Sequence, residues 1–294
     1  MDFNIGKLKD LTEEEEDIFE KNITWLFGNA RGGTSWVSLE LLSHQTNSIN
    51  EPHIDGHISM AAFPGRKHNY TRSIDNPQKN LNYFFSAEYK DVWMKFLRKL
   101  ILNRFYAQTK NIHKKTIIKE LVGIGALDIL TECMSKAKII ILLRDGRDVL
   151  DSTLDAQAKD GFMAKAVNVD SPIRKNFVEN FSLLWTHRNE HFLKTFNNKQ
   201  DNLRYMVKYE DILKDTSSEL EKLYKFLEIE ISKEEIQNIV QKYDFKKIPE
   251  DQKGRGKFHR SASPGKWKEH FNDTEKNTMN EIMGPILKKL GYEI

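Results

Sequence analysis

Short apolar runs along this chain alternate with stretches whose apolar positions recur at helical spacing, and that alternation sets the fold class before any motif is read. ITWLFG (residues 23–28) is a nearly continuous apolar run of strand length ended by glycine, and SWVSLELL (residues 35–42) follows with helical spacing. Further buried-strand runs are TIIKE (116–120), KIIILLRD (138–145) and RYMVKY (204–209). Long helical patterns cover 88–108 and 176–196, RDVLDSTLDAQ follows the third of these runs, and SSELEKLYKFL follows the fourth. Apolar runs separated by helices predict a parallel sheet covered on both faces. The expected architecture is therefore α/β, one domain over 1–294 with a central parallel sheet flanked by helices. Residues 11–21 (LTEEEEDIFEK) read as a short acidic helix whose charges form a solvated face, so 1–21 is set apart as an N-terminal helix. Residues 248–265, rich in glycine, proline, lysine and arginine, predict a loop ordered by binding, followed by a last helix.

Composition narrows the function classes. The 39% hydrophobic content of 294 residues is enough for a substantial core, so a globular protein is expected. Charges nearly cancel, leaving +3, which speaks against a nucleic-acid partner and requires any anion site to be local. No run approaches the roughly 18 apolar residues of a membrane span, and MDFNIGKLKD lacks the apolar stretch of a signal peptide, so a cytoplasmic location without a transmembrane segment is expected. Cys133 is the one cysteine. It permits no internal disulfide or cysteine-rich zinc site, and a small buried hydrophobe is its expected role.

The residues between the first strand and its helix carry the first chemistry. Gly28-Asn29-Ala30-Arg31-Gly32-Gly33-Thr34-Ser35 has GxxxxG spacing, with glycines that let the backbone approach a phosphate and amides that face it at the start of a helix. The nucleotide-triphosphatase pattern places lysine after the second glycine, and Thr34 stands there instead. A cation, Arg31, lies inside the loop, where it can pair with a phosphate while the Thr34 and Ser35 hydroxyls complete the cradle. Arg144, at the end of the strongest strand, is placed where open α/β sheets bind ligands, and Ser152 follows about two helical turns later.

Arg31-Gly32-Gly33-Thr34-Ser35-Trp36 resembles the phosphate loop of the nucleotide-dependent sulfotransferases, position by position. The resemblance continues through Arg144 and Ser152, Tyr209-Glu210-Asp211, Tyr243-Asp244-Phe245, and Arg260 with Gly265, Trp267 and Lys268, so that residues 22–271 carry the family's motifs. Ser261, Ala262 and Lys266 depart from its basic segment. What the likeness implies is a P-loop-like topology and a co-substrate, 3′-phosphoadenosine-5′-phosphosulfate (PAPS). Its 5′-phosphosulfate would lie on residues 31–35, its 3′-phosphate on Arg144, Ser152 and Arg260, and its adenine near Trp36, Tyr209 and Phe245.

Transfer of a sulfuryl group needs positioned partners and a cation beside the bridging oxygen. Arg31 is one candidate, and Lys119 matches a lysine that the family places beside the leaving group. The acceptor, a small molecule or carbohydrate with a hydroxyl or amine, needs a base. Glu51, in Ser48-Ile49-Asn50-Glu51-Pro52, matches the glutamate of the carbohydrate, tyrosyl-protein and many bacterial members, whereas the histidine of the animal cytosolic members is replaced here by Leu121. Pro52 biases Glu51 towards an extended backbone, and His53 is the reserve base. His53, Asp55 and His57 alternate on one possible strand face but lack further ligands, and no metal is expected. A P-loop kinase or nucleotide triphosphatase is the rival enzyme class. A non-catalytic adenine-nucleotide sensor is the rival binding class; it would keep Arg31, Arg144 and Arg260 without needing Glu51.

Overall fold

Five strands, β1 (Ile23–Gly28), β2 (Asn47–Asn50), β3 (Thr116–Leu121), β4 (Lys138–Leu143) and β5 (Arg204–Lys208), form the sheet of a computed structural model that describes residues 10–54, 84–121, 126–157, 171–254, 257 and 262–294. Their order is β2-β3-β1-β4-β5 and every pairing is parallel. Because the strands are parallel, all their carboxyl ends reach the same edge, and Gly28, Asn50, Leu121, Leu143 and Lys208 end the strands there.

Side chains alternate between two cores with the period of a pleated strand. Trp25, Phe27, Ile118, Ile139 and Ile141 join one core, with α3 (Lys90–Thr109), α4 (Leu127–Cys133), α5 (Gly146–Gln157), α6 (Ser171–Asn198) and α10 (Asp273–Lys289). Leu26, Ile117, Ile140 and Leu142 join the other, with α2 (Trp36–Leu41), α7 (Tyr209–Lys214), α8 (Thr216–Phe226) and α9 (Lys233–Lys242). Every residue of β1 and β4 is buried, which is why those runs lack the polar alternation of a one-faced strand. Cys133 is buried as expected, and burial pushes its thiol up to about 12. Among the described residues no helix is long and apolar enough to cross a membrane.

Three local expectations are corrected. The acidic helix, α1 (Glu13–Asn22), is capped by Thr12 and Glu15, but its charges are not all solvated. Glu16 and Glu20 are buried and, with Asp17, bind the Arg98 guanidinium of α3 at 2.7, 2.7 and 2.9 Å. Four-residue spacing stacks Glu16 and Glu20 on one helical face, which here meets α3 rather than water. Residues 36–41 form a π-helix rather than an α-helix, closed by the Leu42 amide donating to the Val37 carbonyl at 3.0 Å. Glu51 is not extended. Its φ is 48°, so the chain turns out of β2 at that residue while the Glu51 amide still donates to the Lys119 carbonyl at 2.8 Å.

Candidate active site

The loop after β1 is shaped by steric exclusion. A Cβ on Gly28 would lie 2.6 Å from Thr34 Cγ2, and one on Gly33 would lie 2.4 Å from the Tyr209 ring. Gly33 also has φ 92°, a left-handed conformation that only glycine adopts without strain. Arg31 shares the left-handed region at φ 64°. Two groups from the segment that follows β4 hold it: Arg144 Nη1 donates to the Arg31 carbonyl at 2.8 Å, and Arg31 Nε donates to Ser152 Oγ on α5 at 3.1 Å. The loop after β1 and the segment after β4 are therefore one structure, with Ser152 on α5 facing back to the first loop.

Lys119 belongs to β3, in register with Leu26 of β1 and Asn50 of β2. Its side chain is 1% exposed, and its ammonium contacts the Glu51 carboxylate and donates to Ser35 Oγ at 2.8 Å. Three segments thus converge at the carboxyl edge of the sheet: the loop after β1, the turn after β2 and the end of β3. Leucine at 121 lines the same cavity without contributing a base.

That cavity encloses about 600 Å³. Its charged end holds Arg31, Ser35, Glu51, Lys119, Arg144 and Ser152, and its aromatic walls hold Trp36, Tyr209, Tyr243 and Phe245. Trp36 meets Tyr209 edge-on with centroids 5.9 Å apart, and the Arg144 guanidinium lies 4.6 Å from the centre of the same tyrosine ring. Burial raises the Tyr209 phenol above its ordinary value. His53 is exposed and does not line the cavity. Arg260 and Ser261 lie outside the described residues, as do Asp55 and His57. Among the described residues no group of three or more histidine, cysteine or carboxylate side chains is placed to hold a metal.

Several residues that frame the cavity were missed by sequence reading. Asp148, buried on α5, accepts from the Gly265 amide at 2.7 Å and the Trp267 amide at 3.4 Å, tying the end of the basic loop to α5; burial raises its carboxyl. Glu210 accepts from the Asp145 amide and the Tyr292 hydroxyl, both at 3.0 Å, so the C-terminal residues brace the segment that carries Arg144. Arg147 pairs with Asp145 at 2.7 Å and stacks 4.2 Å from the Trp267 ring centre. The clustered charges of RDGRD were the available signal, but such clusters are common on surfaces and the partners of Asp145 and Asp148 in Glu210 and Gly265 lie 65 and 117 residues away.

A parallel sheet with glycine-rich and arginine-bearing loops at its carboxyl edge defines an α/β protein of P-loop-like topology. The model of the family described as "Sulfotransferase domain" matches residues 21–291, and the chain belongs to that family. An amine sulfotransferase of Oryctolagus cuniculus is 30% identical over 177 residues, 52% of this chain and 56% of that protein, so the match spans a little over half of the relative's length. Among solved structures, retinol dehydratase in complex with androsterone and inactive cofactor PAP is similar with a TM-score of 0.58, at 16% identity over 93% of this chain and 82% of that one. A mouse sulfotransferase complexed with PAP reaches 0.57 at 15% identity, covering 94% of this chain and 90% of that one. A sulfotransferase from Alicyclobacillus acidocaldarius reaches 0.52 at 13%, covering 92% and 96%. These likenesses establish the fold, and the family match does not favour the kinase or triphosphatase alternative.

Proposed function

We propose that the protein transfers a sulfuryl group from PAPS to a hydroxyl or amine of a small-molecule or carbohydrate acceptor, with Glu51 as base and Lys119 as the cation at the leaving group. The observation that carries this reading is the convergence of Lys119, Glu51 and Ser35 in the cavity that also holds Arg31, Arg144 and Ser152. The residues present fit a nucleotide that carries anionic groups at both its 3′ and 5′ positions. Arg144 Nε is buried without a hydrogen-bond partner among the described residues, which leaves a donor for an anion in the cavity that Arg144 lines. In this reading residues 31–35 hold the 5′ end, Arg144, Ser152 and Arg260 the 3′-phosphate, and Trp36, Tyr209 and Phe245 the base.

PAPS supplies the electrophilic sulfur and a phosphate leaving group. The S–O bond to the donor breaks as the bond to the acceptor forms, and the Lys119 ammonium offsets the charge that collects on the leaving oxygen. Donor binding draws Lys119 away from Glu51, and the freed carboxylate takes the acceptor's proton. Ser35 holds the ammonium in place through the exchange. Arg31, anchored by Ser152 and Arg144, adds a second positive charge beside the loop. The curated relative's name, amine sulfotransferase, adds amines to the acceptors to be tried. A lone, buried cysteine suits the reducing cytoplasm, which is the proposed compartment.

The test is a labelled donor offered to phenols, alcohols, amines and sugars, beside calorimetry with adenosine 3′,5′-bisphosphate in EDTA. Micromolar binding without Mg²⁺ and transfer to at least one acceptor class are expected. Binding of ATP with Mg²⁺ in preference to the bisphosphate would sink the reading.

A further inference from the structure

Of the acids that line the cavity beside Glu51, Asp148 accepts from the Gly265 and Trp267 amides and Asp244 from the Lys246 amide, whereas Glu40 serves neither transfer chemistry nor a described hydrogen bond. Glu40 lies on α2, one helical turn beyond Trp36, and lines the cavity with Trp36, Leu41, Leu213, Val240 and Tyr243. It is half-buried and has no ion-pair or hydrogen-bond partner among the described residues, and burial raises its carboxyl above the ordinary value. α9 packs on α2 at this point, and His44, just beyond α2, meets Tyr243, the residue that caps α9, through ring nitrogen and hydroxyl at 3.1 Å. A carboxylate in such apolar company loses hydration without a compensating contact, so a ligand that donates a hydrogen bond is the missing partner.

The nucleotide's own shape decides which part reaches Glu40. Phosphates must lie against Arg31, Arg144 and Ser152, leaving the base to occupy the aromatic and aliphatic walls. We propose that Glu40 is a specificity-determining residue that accepts a hydrogen bond from the exocyclic 6-amino group of the purine, selecting an amino-purine donor over a 6-oxo-purine one. This rests on the PAPS reading above and adds the element that reads the base. An ionised carboxylate can only accept. A 6-oxo group can only accept as well, so the two oxygens repel, whereas a 6-amino group gives a charge-assisted bond.

The test compares calorimetric affinities for adenosine 3′,5′-bisphosphate and its isosteric inosine analogue in the wild type and in Glu40→Gln. The wild type is expected to favour the adenosine nucleotide at least about tenfold, the size of one hydrogen bond to a charged group. Glutamine carries both a donor and an acceptor, so in Glu40→Gln the preference should fall to within about threefold, with the inosine nucleotide gaining affinity over its wild-type value. Equal loss of both nucleotides in the variant, or an unchanged preference, overturns the role of Glu40 and leaves the PAPS reading intact. Failure of the wild type to bind either bisphosphate overturns both.

Discussion

Glu51 and Lys119 share one contact, and their proposed roles separate by kinetics. Glu51→Gln keeps the shape and one oxygen but cannot take a proton, so single-turnover rates with saturating donor are expected to fall about 10²–10⁴-fold while bisphosphate affinity changes little. His53, exposed and away from the cavity wall, is expected to tolerate alanine at a near-normal rate. The opposite ranking in single-turnover measurements removes the carboxylate base. Arg144 makes a second case. Its guanidinium donates to the Arg31 carbonyl while stacking on Tyr209, a combination that a lysine cannot reproduce. Arg144→Lys is therefore expected to weaken bisphosphate binding about tenfold or more despite its retained charge, and calorimetry showing wild-type affinity would reduce Arg144 to a point charge. The arginine's place at a strand end was legible in the sequence, because strand, turn and helix are contiguous there. Its grip on the first loop was not, since those partners lie 113 residues apart.

Elements are tied together by polar clasps as well as by the two cores. Asp128 on α4 receives a hydrogen bond from Thr195 of α6 at 2.8 Å and lies 3.2 Å from His191 and 3.4 Å from Lys194 of the same helix. The His191 contact, helped by Thr195 and Lys194, holds the Asp128 carboxyl well below the usual carboxylate range. A carboxyl depressed in the folded state contributes stability above its unfolded value, near 4, and loses it as pH falls through the folded value. Asp128→Asn should then cost about 1 kcal/mol or less at pH 5–6, discounted because the site is partly solvated. Chemical denaturation should show the gap closing below about pH 4; a gap that widens in acid would refute the clasp. The helices that make it illustrate a limit of pattern reading. Residues 176–196 announce α6 through length and periodicity, whereas α4 spans only seven residues and its apolar positions cannot be told from a turn without the sheet beneath them. Ser232 and Glu235 do carry a capping signal for α9, S-x-x-E, of the kind that marks α1.

At the scale of the whole molecule, ligand binding should couple to folding, because the cavity is walled by both halves of the sheet and by α9. Adenosine 3′,5′-bisphosphate at about 100 times its dissociation constant should stabilise the folded state by about 2.7 kcal/mol, a rise of roughly 5–10 °C in Tm. Differential scanning fluorimetry with EDTA should give the same shift as with Mg²⁺; a shift that needs Mg²⁺ would revive the triphosphatase reading. The sequence by itself determined four of the five strands, their parallel arrangement and the glycine- and arginine-bearing turns after β1 and β4, while β2 was not among its apolar runs. Each of those depends on residues adjacent in the chain, and the apolar runs of β1 and β4 admit no other setting than the middle of a covered sheet. Tertiary structure alone decided what happens between strands. Parallel register sets Lys119 beside Asn50, one residue short of Glu51, and beside Leu26 of the strand that leads into the phosphate loop, so an ammonium, a carboxylate and the Ser35 hydroxyl meet across separations of 68 and 84 residues. The same holds for Asp148 and Gly265, and for Arg98 and the acidic face of α1. No periodicity encodes such meetings, because they depend on where a crossover returns the chain and not on the residues that it carries.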